Sequence, residues 1–357
     1  MLHSPLGAPS LRPQVNRRDF LVRTALGTAP CAFWMFGVEP AAARADERSA
    51  ITDQSKVDRD FLVQGEYEGE IDFGVPEKLG VQVIVLSAGK FHAVAYEQGL
   101  PGAGWHRMAD NTEVDGETED NLTILGDNNN PAAWRIRDGV LKMYTGGDKQ
   151  REGELRRVVR KSPTLGSKPK DAVVLFDGST LAQWEGGRMT ADKILMPGAT
   201  SKQKFRDFTL HLEFRNPYMP AAKPSERGGT SCSVANKYKI EIRDSFGLHP
   251  YGTPANRIDN DCGAITSFRN PDLNMCFPPL SWQTFDIDFT SARFDGAAKK
   301  KCARVTVRHN GVVIHENFEL PHGNTGGPNE KPEPGPLHLD DNGCPVHFRN
   351  IWVIDKT

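Results

Sequence analysis

Residues 208–215 read FTLHLEFR, with Phe208, Leu210, Leu212 and Phe214 on one side of an extended chain and Thr209, His211, Glu213 and Arg215 on the other. Side chains two apart share a strand face, so the alternation predicts a half-buried strand. The same pattern returns downstream. FDIDFT, residues 285–290, turns Phe285, Ile287 and Phe289 inward, and YKIEIR, residues 238–243, does so with Tyr238, Ile240 and Ile242. VTVRHNGVVIH, residues 305–315, reads as a hairpin whose Asn310-Gly311 suits a tight primed turn. From residue 171 onward almost nothing has a helical period. Short alternating strands joined by Gly, Pro, Asp and Asn turns predict an all-β fold, a jelly-roll β-sandwich over 172–357.

Working back toward the N-terminus, residues 161–171 (KSPTLGSKPKD) have the composition of a linker. Before it, residues 58–150 read as a small β-rich module of open role. VQVIVLSAGKFHAVAYE, residues 81–97, gives two strands around a glycine-containing turn, and further strand-like pieces cover 122–125 and 133–136. Trp105, His106 and Trp134 could line a groove in this module, but isolated aromatic residues in a small β domain are first of all core residues.

Residues 1–45 read as an export signal rather than as structure. Asn16-Arg17-Arg18-Asp19-Phe20-Leu21 resembles a twin-arginine signal ahead of an apolar run, and Ala43-Arg44-Ala45 supplies a small-x-small cleavage pattern. The expectation is a mature chain starting at Asp46 in the periplasm or outside the cell. The alternative is an uncleaved membrane anchor, although Arg23, Gly27 and Pro30 interrupt the run. No later segment is apolar enough to cross a bilayer.

Removing residues 1–45, which carry five basic and two acidic residues, leaves 39 Lys and Arg against 44 Asp and Glu. A mildly acidic surface whose longest basic run is Lys299-Lys300-Lys301 argues against nucleic acid and anionic membrane as partners and favours neutral, polar ligands. Five cysteines remain: Cys232, Cys262, Cys276, Cys302 and Cys344. Export makes a disulfide plausible, and the odd count leaves at least one thiol unpaired within a monomer. No CxxC or HExxH spacing occurs, so neither a structural metal site nor a cofactor is expected.

Taken in order, VVLFDGSTLAQWEGG, FRDFTLHLEFR, YKIEIRDSFG, DCGAITSF, WQTFDIDFTSARFD, ARVTVRHNGVVIHENFELP and GPLHLDDNGCPVHFRNIWV resemble the 3-keto-disaccharide hydrolase family from about Ala172 to Val353. The resemblance implies a concanavalin A-like lectin/glucanase sandwich in a secreted bacterial protein, with a sugar on the concave sheet face. It also implies cleavage of glycosides already oxidised at C3: a base removes the acidified C2 proton, the C1 substituent leaves, and water adds back. Such a site needs a base near C2, an acid near the leaving oxygen and donors at the enolate oxygen. A nicotinamide-dependent sugar 3-dehydrogenase is the partner that this chemistry implies. The alternative is a non-catalytic carbohydrate-binding module. A conventional glycosidase would require paired carboxylates, and no glucanase-type E-x-D-x-x-E strand is present.

Family members usually carry glutamate where this chain has Lys239, and glutamine where it has Glu241; Tyr238, Asp244 and Ser245 match. The carboxylate therefore stays on the same strand face but moves by roughly 7 Å. Glu241 and Asp244 are the candidates for the base, and Lys239 and Arg243 share the strand as substrate-binding candidates. Read without the resemblance, the row Lys239, Glu241, Arg243 is first of all a solvated sheet face with compensating charges. A second cluster near the C-terminus joins His338, as a catalytic candidate, to Asp340, Asp341, His347 and Arg349. Arg349 could instead tie the chain end into the sheet. Asn342 stands where members commonly have histidine. Arg227, in the Arg227-Gly228-Gly229 loop, is a further binding candidate, or part of a plain glycine turn. The resemblance also includes Cys262 and Cys276, which makes Cys262–Cys276 the expected disulfide.

Overall fold

The computed structural model describes residues 50–356 apart from 73–74, 108, 128, 130–132, 145–151, 224–225, 249–260 and 326–329. The expected export signal lies outside the described residues. After a 3-10 turn (Gln54–Lys56) and a one-turn helix (Asp60–Val63), eight strands follow among the described residues: β1 (Gly65–Asp72), β2 (Pro76–Ser87), β3 (Lys90–Glu97), β4 (Asn111–Glu119), β5 (Leu122–Leu125), β6 (Trp134–Arg137), β7 (Val140–Tyr144) and β8 (Glu152–Val158). Each pairs antiparallel with the next, and β1 also pairs with β8, so the ribbon closes into a barrel without free edges. The module foreseen over 58–150 is thus a barrel over 65–158.

β2 explains the long apolar run VQVIV. Leu79, Val81, Val83 and Val85 point into the barrel with Phe91, Ala93 and Ala95 of β3. Ile84, with Val94 and Tyr96 of β3, points the other way and joins the core of the following domain. A strand buried on both faces reads as continuous apolar sequence rather than as an alternation. Trp105 packs edge-on against Tyr96, 5.2 Å between ring centres, in that same shared core.

Downstream lie β9 (Val173–Phe176), β10 (Trp184–Glu185), β11 (Ala199–Phe205), β12 (Phe208–Arg215), β13 (Gly228–Val234), β14 (Tyr238–Arg243) and β15 (Gln283–Thr290). They are followed by β16 (Arg293–Asp295), β17 (Ala298–Lys301), β18 (Ala303–His309), β19 (Val312–Leu320), β20 (Gly335–Leu339) and β21 (His347–Asp355). Two sheets result, one of five strands in the order β10-β11-β20-β13-β14 and one of six in the order β19-β18-β15-β12-β21-β9; β16 and β17 pair separately. Between the two sheets Phe208, Leu210, Leu212, Phe214, Phe285, Ile287 and Phe289 meet Tyr238, Ile240, Ile242, Leu337 and Leu339 in one buried cluster. The fold is therefore the expected all-β sandwich of the jelly-roll kind. Its β18–β19 hairpin turns at Asn310 and Gly311, whose φ values of 50° and 81° are those of a primed turn.

Residues 161–171, expected as a linker, lie as a strap across the outer face of the six-stranded sheet. Thr164 Oγ1 donates to Asp286 at 2.7 Å, Gly166 N donates to Glu213 at 2.6 Å, and Ser167 O accepts from Trp352 Nε1 at 2.7 Å. The carboxylates beneath the strap are themselves held: His211 Nδ1 lies 2.6 Å from Asp286, and Asn350 donates to Glu213 at 2.8 Å. A segment bound by this many charge-assisted contacts fixes the barrel to the sandwich.

Candidate functional site

The site begins with strand register. Ser231 pairs with Glu241 and Ser233 with Lys239 across β13 and β14, while Ser233 pairs with His338 across β13 and β20. His338 in turn pairs with Thr200 on β11. Because Tyr238, Ile240, Ile242, Leu337 and Leu339 face the core, the intervening side chains face outward. Two polar rows thus cross the outer face of the five-stranded sheet: Thr200, His338, Ser233 and Lys239 in one, and Asp340, Ser231 and Glu241 in the other.

Asp340 is the hub. Its Oδ2 lies 3.1 Å from Lys239 Nζ, its Oδ1 lies 3.2 Å from His338 Nε2, and the Ser231 hydroxyl donates to it. Its backbone is also fixed, with Asp340 N bonding Ser231 O at 3.0 Å and Asp340 O accepting from the Thr230 hydroxyl. Burial opposes ionisation here, but the hydrogen bonds from His338, Ser231 and Lys239 outweigh it and bring the carboxyl down to about 2. Asp340 is a permanent anion at neutral pH. The other imidazole nitrogen of His338, Nδ1, lies 2.8 Å from Thr200 Oγ1. A neutral His338 that donates from Nε2 to Asp340 accepts from Thr200 at Nδ1.

Glu241 shifts the opposite way. Burial raises its pKa, while the Thr266 hydroxyl, 2.5 Å from Oε1, and the charges of Lys239 and Arg243 work against that rise. The site therefore holds two carboxylates with divergent proton affinities, one fixed as an anion and one inclined to take a proton, which is the arrangement that acid–base chemistry uses. Arg243 shares the outward face of β14. At the end of the face Asp341 pairs with Arg188, 2.6 Å apart, and both are substantially exposed. Among the described residues, no group of three or more His, Cys, Asp or Glu side chains is arranged to hold a metal ion.

Lys239 and Glu241 of the first expected cluster thus meet His338 and Asp340 of the second, with Arg243 and Asp341 beside them. Three other candidates lie elsewhere. Arg227 is 3% exposed, and its guanidinium donates to Ala222 O at 2.9 Å and to Val85 O of the barrel at 2.6 Å, so it fastens the two domains. Asp244 is 4% exposed, and its Oδ1 accepts from Phe246 N at 3.2 Å. Burial pushes its pKa up to about 6 against the pull of Arg227. Arg349 stands on β21, in the other sheet, where its Nε donates to Glu213 at 2.6 Å and its guanidinium lies 3.9 Å above the Trp282 ring. The C-terminal cluster divides because β20 and β21 belong to different sheets, so His347 and Arg349 face away from His338.

All five described cysteines are free thiols. The expected Cys262–Cys276 disulfide is therefore not formed; both residues are buried, and burial is the largest cause raising the pKa of Cys262. Sequence reasoning passed over Thr200, Ser231, Ser233, Thr266 and Arg188. The alternation in TSCSV, residues 230–234, carries the signal for the two serines: with Cys232 and Val234 inward, Ser231 and Ser233 must face out. The roles of Thr200, Thr266 and Arg188 depend on pairings between distant segments.

Residues 171–354 match the sequence profile of the 3-keto-alpha-glucoside-1,2-lyase-like domain. No curated protein matches the chain. Among solved structures, a crystal structure of a candidate glycosyl hydrolase from Parabacteroides distasonis ATCC 8503 shares 25% identity, with 53% of this chain and 85% of that one covered and a TM-score of 0.46.

Proposed function

Because the chain belongs to the 3-keto-alpha-glucoside-1,2-lyase-like domain family, a carbohydrate-active one, we propose that it cleaves glycosides oxidised at C3 and that the outer face of the five-stranded sheet is where it does so. The observation that carries this reading is the divergence of Glu241 and Asp340 on one face, with Lys239 against Asp340.

In the proposed reaction Glu241 takes the C2 proton, which the neighbouring ketone has made acidic. The negative charge moves to the C3 oxygen, where the Lys239 ammonium meets it. The enolate expels the C1 substituent, giving a C1–C2 double bond, and the departing oxygen takes a proton from the imidazolium form of His338, leaving the neutral ring. Water then adds at C1, giving a proton back to His338, and Glu241 returns a proton to C2. The net change is hydrolysis. Asp340 stays ionised throughout and holds Lys239 and His338 in place.

The oxidised substrate has to come from another enzyme, and a nicotinamide-dependent sugar 3-dehydrogenase in the same exported compartment is the partner proposed for it. The test is incubation of the protein with 3-keto-glycosides beside their unoxidised parents. Release of the aglycone from the oxidised series alone supports the reading. Saturable binding of both series without product would instead indicate a carbohydrate-binding module, and equal cleavage of both would indicate a conventional glycosidase.

A further inference from the structure

β14 is an edge strand of its sheet, yet its outer edge is not open. Glu241 N donates to Ala264 O at 2.9 Å, Gly263 N donates to Glu241 O at 2.8 Å, and Thr266 N donates to Lys239 O at 3.1 Å, so residues 263–266 run beside it as a short partner. Beyond Thr266 the chain turns sharply, with Ser267 at φ 65°, a left-handed conformation that non-glycine residues adopt only when their surroundings enforce it. The next backbone group along the edge of β14, Lys239 N, is met by a side chain. Asn324 Oδ1 accepts from Lys239 N at 2.6 Å, Asn324 Nδ2 donates to Thr266 O at 2.7 Å, and Asn324 N donates to Lys237 O at 2.8 Å. A carboxamide has the donor and acceptor of a peptide group, so Asn324 continues the ladder where the main chain has turned away.

We propose that Thr266 and Asn324 are the positioning residues of the site: the Thr266 hydroxyl fixes the Glu241 carboxylate, and Asn324 fixes the distance between Thr266 and Lys239. The proposal rests on Glu241 acting as the base. Neither residue touches the reacting atoms. The Thr266 hydroxyl approaches Glu241 Oε1 at 2.5 Å and stabilises the ionised form. The charged groups acting on the same carboxylate are Lys239 and Arg243, which favour ionisation, and Asp340, which opposes it. Removing the hydroxyl alone leaves those charges unchanged and tips the balance toward the protonated form.

Thr266→Val keeps the shape and deletes the hydroxyl, Thr266→Ser keeps the hydroxyl, and Asn324→Leu removes the amide bridge. Two readouts are needed. One is kcat/KM on an aryl 3-keto-glucoside as a function of pH, and the other is a carbon-13 titration of the Glu241 carboxyl in the unliganded protein, which needs no turnover. Thr266→Val is expected to move the acidic limb and the titration upward by about one pH unit, roughly tenfold in rate on that limb. Thr266→Ser is expected to restore both. Asn324→Leu moves them the same way, and combining it with Thr266→Val adds little, because the two act in one chain of contacts. An unmoved titration in Thr266→Val, with activity lowered evenly at every pH, overturns the proposal. A titration that moves in a protein that cleaves no 3-keto-glycoside keeps the positioning role and removes the catalytic reading. If neither moves and nothing is cleaved, both fall.

Discussion

Lys239 Nζ lies 3.1 Å from Asp340 Oδ2 although β13 runs between β14 and β20, whose end Asp340 follows. Two strand spacings of about 4.8 Å each separate β14 from β20, and only a long side chain reaching diagonally across the face can close that span. The contact holds both side chains in place. Asp340 is too strongly ionised to serve as a base near neutral pH, and the ammonium of Lys239 is anchored rather than loose, leaving Glu241 as the carboxylate able to accept a proton.

Glu241→Gln is therefore expected to lower turnover of a 3-keto-glycoside by at least ~100-fold, the low end of a general base's contribution. Stability should stay within about 1 kcal/mol, since the change removes a partly buried charge and keeps an acceptor for Thr266. Steady-state kinetics and a thermal melt on the same sample check both.

Lys239→Met removes the cation from beside Asp340 and from the place proposed for the enolate oxygen. Turnover is expected to fall by about 100-fold, comparable to the loss of one oxyanion donor. Lys239→Glu, which restores the residue usual in the family, sets a third carboxylate beside Asp340 and Glu241 and is expected to be less active than wild type at pH 7. Equal or higher turnover would assign the base to position 239 and make Glu241 a bystander.

Arg227→Met leaves Val85 O and Ala222 O without their donor at the junction of barrel and sandwich. Unpaired buried carbonyls cost about 1–3 kcal/mol each, so a loss of roughly 3 kcal/mol is expected in a denaturant titration. Arg349→Met, on the sheet face away from the site, should leave KM unchanged. A raised KM in Arg349→Met would return that residue to the site.

The pH dependence of stability follows from the same charges. Asp340, Glu213 and Asp288 are all brought to about 2 in the fold, below their ordinary values of 3.8 for Asp and 4.5 for Glu. Their contribution is present above those ordinary values and is lost as pH falls toward 2. His211 moves the other way: burial opposes its charge, but Asp286 and Glu213 raise its pKa above 6.5. Its contribution is present below 6.5 and fades as pH rises through the raised value. Asp244, pushed up to about 6, disfavours the fold as pH climbs from about 4 to 6. Thermal midpoints across pH should fall steeply on the acid side, and Glu213→Gln should flatten that fall.

Oxidation is expected to join Cys262 to Cys276, which are free thiols in one buried cluster. The bridge would close the 13-residue loop GAITSFRNPDLNM, which carries Thr266, and add ~3 kcal/mol in the chain-entropy model. Peptide mapping of the oxidised protein checks it, and either cysteine joined to a different partner would contradict it.

Much of this was legible in the sequence wherever the physics is local. The period of two in FTLHLEFR and YKIEIR fixed which side chains enter the core, and hence that Lys239 and Glu241 point out together. Asn310-Gly311 located a hairpin because few other residue pairs accept two positive φ values. Long-range pairing was not legible. His338 and Arg349 are only 11 positions apart, yet their strands enter different sheets, a choice made by the packing of the whole sandwich. Residues 161–171 have a linker's composition, but Thr164 and Gly166 meet Asp286 and Glu213 once the sheet exists to present those carboxylates. Arg227 looked like a ligand-binding arginine in a glycine turn because the barrel carbonyl that it serves lies 142 residues away.

The central claim is that Glu241 removes a proton from C2 of a 3-keto sugar. It is tested most directly by running the reaction in deuterated water and examining the released sugar by mass spectrometry and proton NMR. The account predicts that wild type releases 3-keto sugar carrying deuterium at C2, and that Glu241→Gln, folded to the same melting point, neither releases it nor exchanges C2. Release of a sugar that keeps its C2 proton, or full exchange in Glu241→Gln, would contradict it.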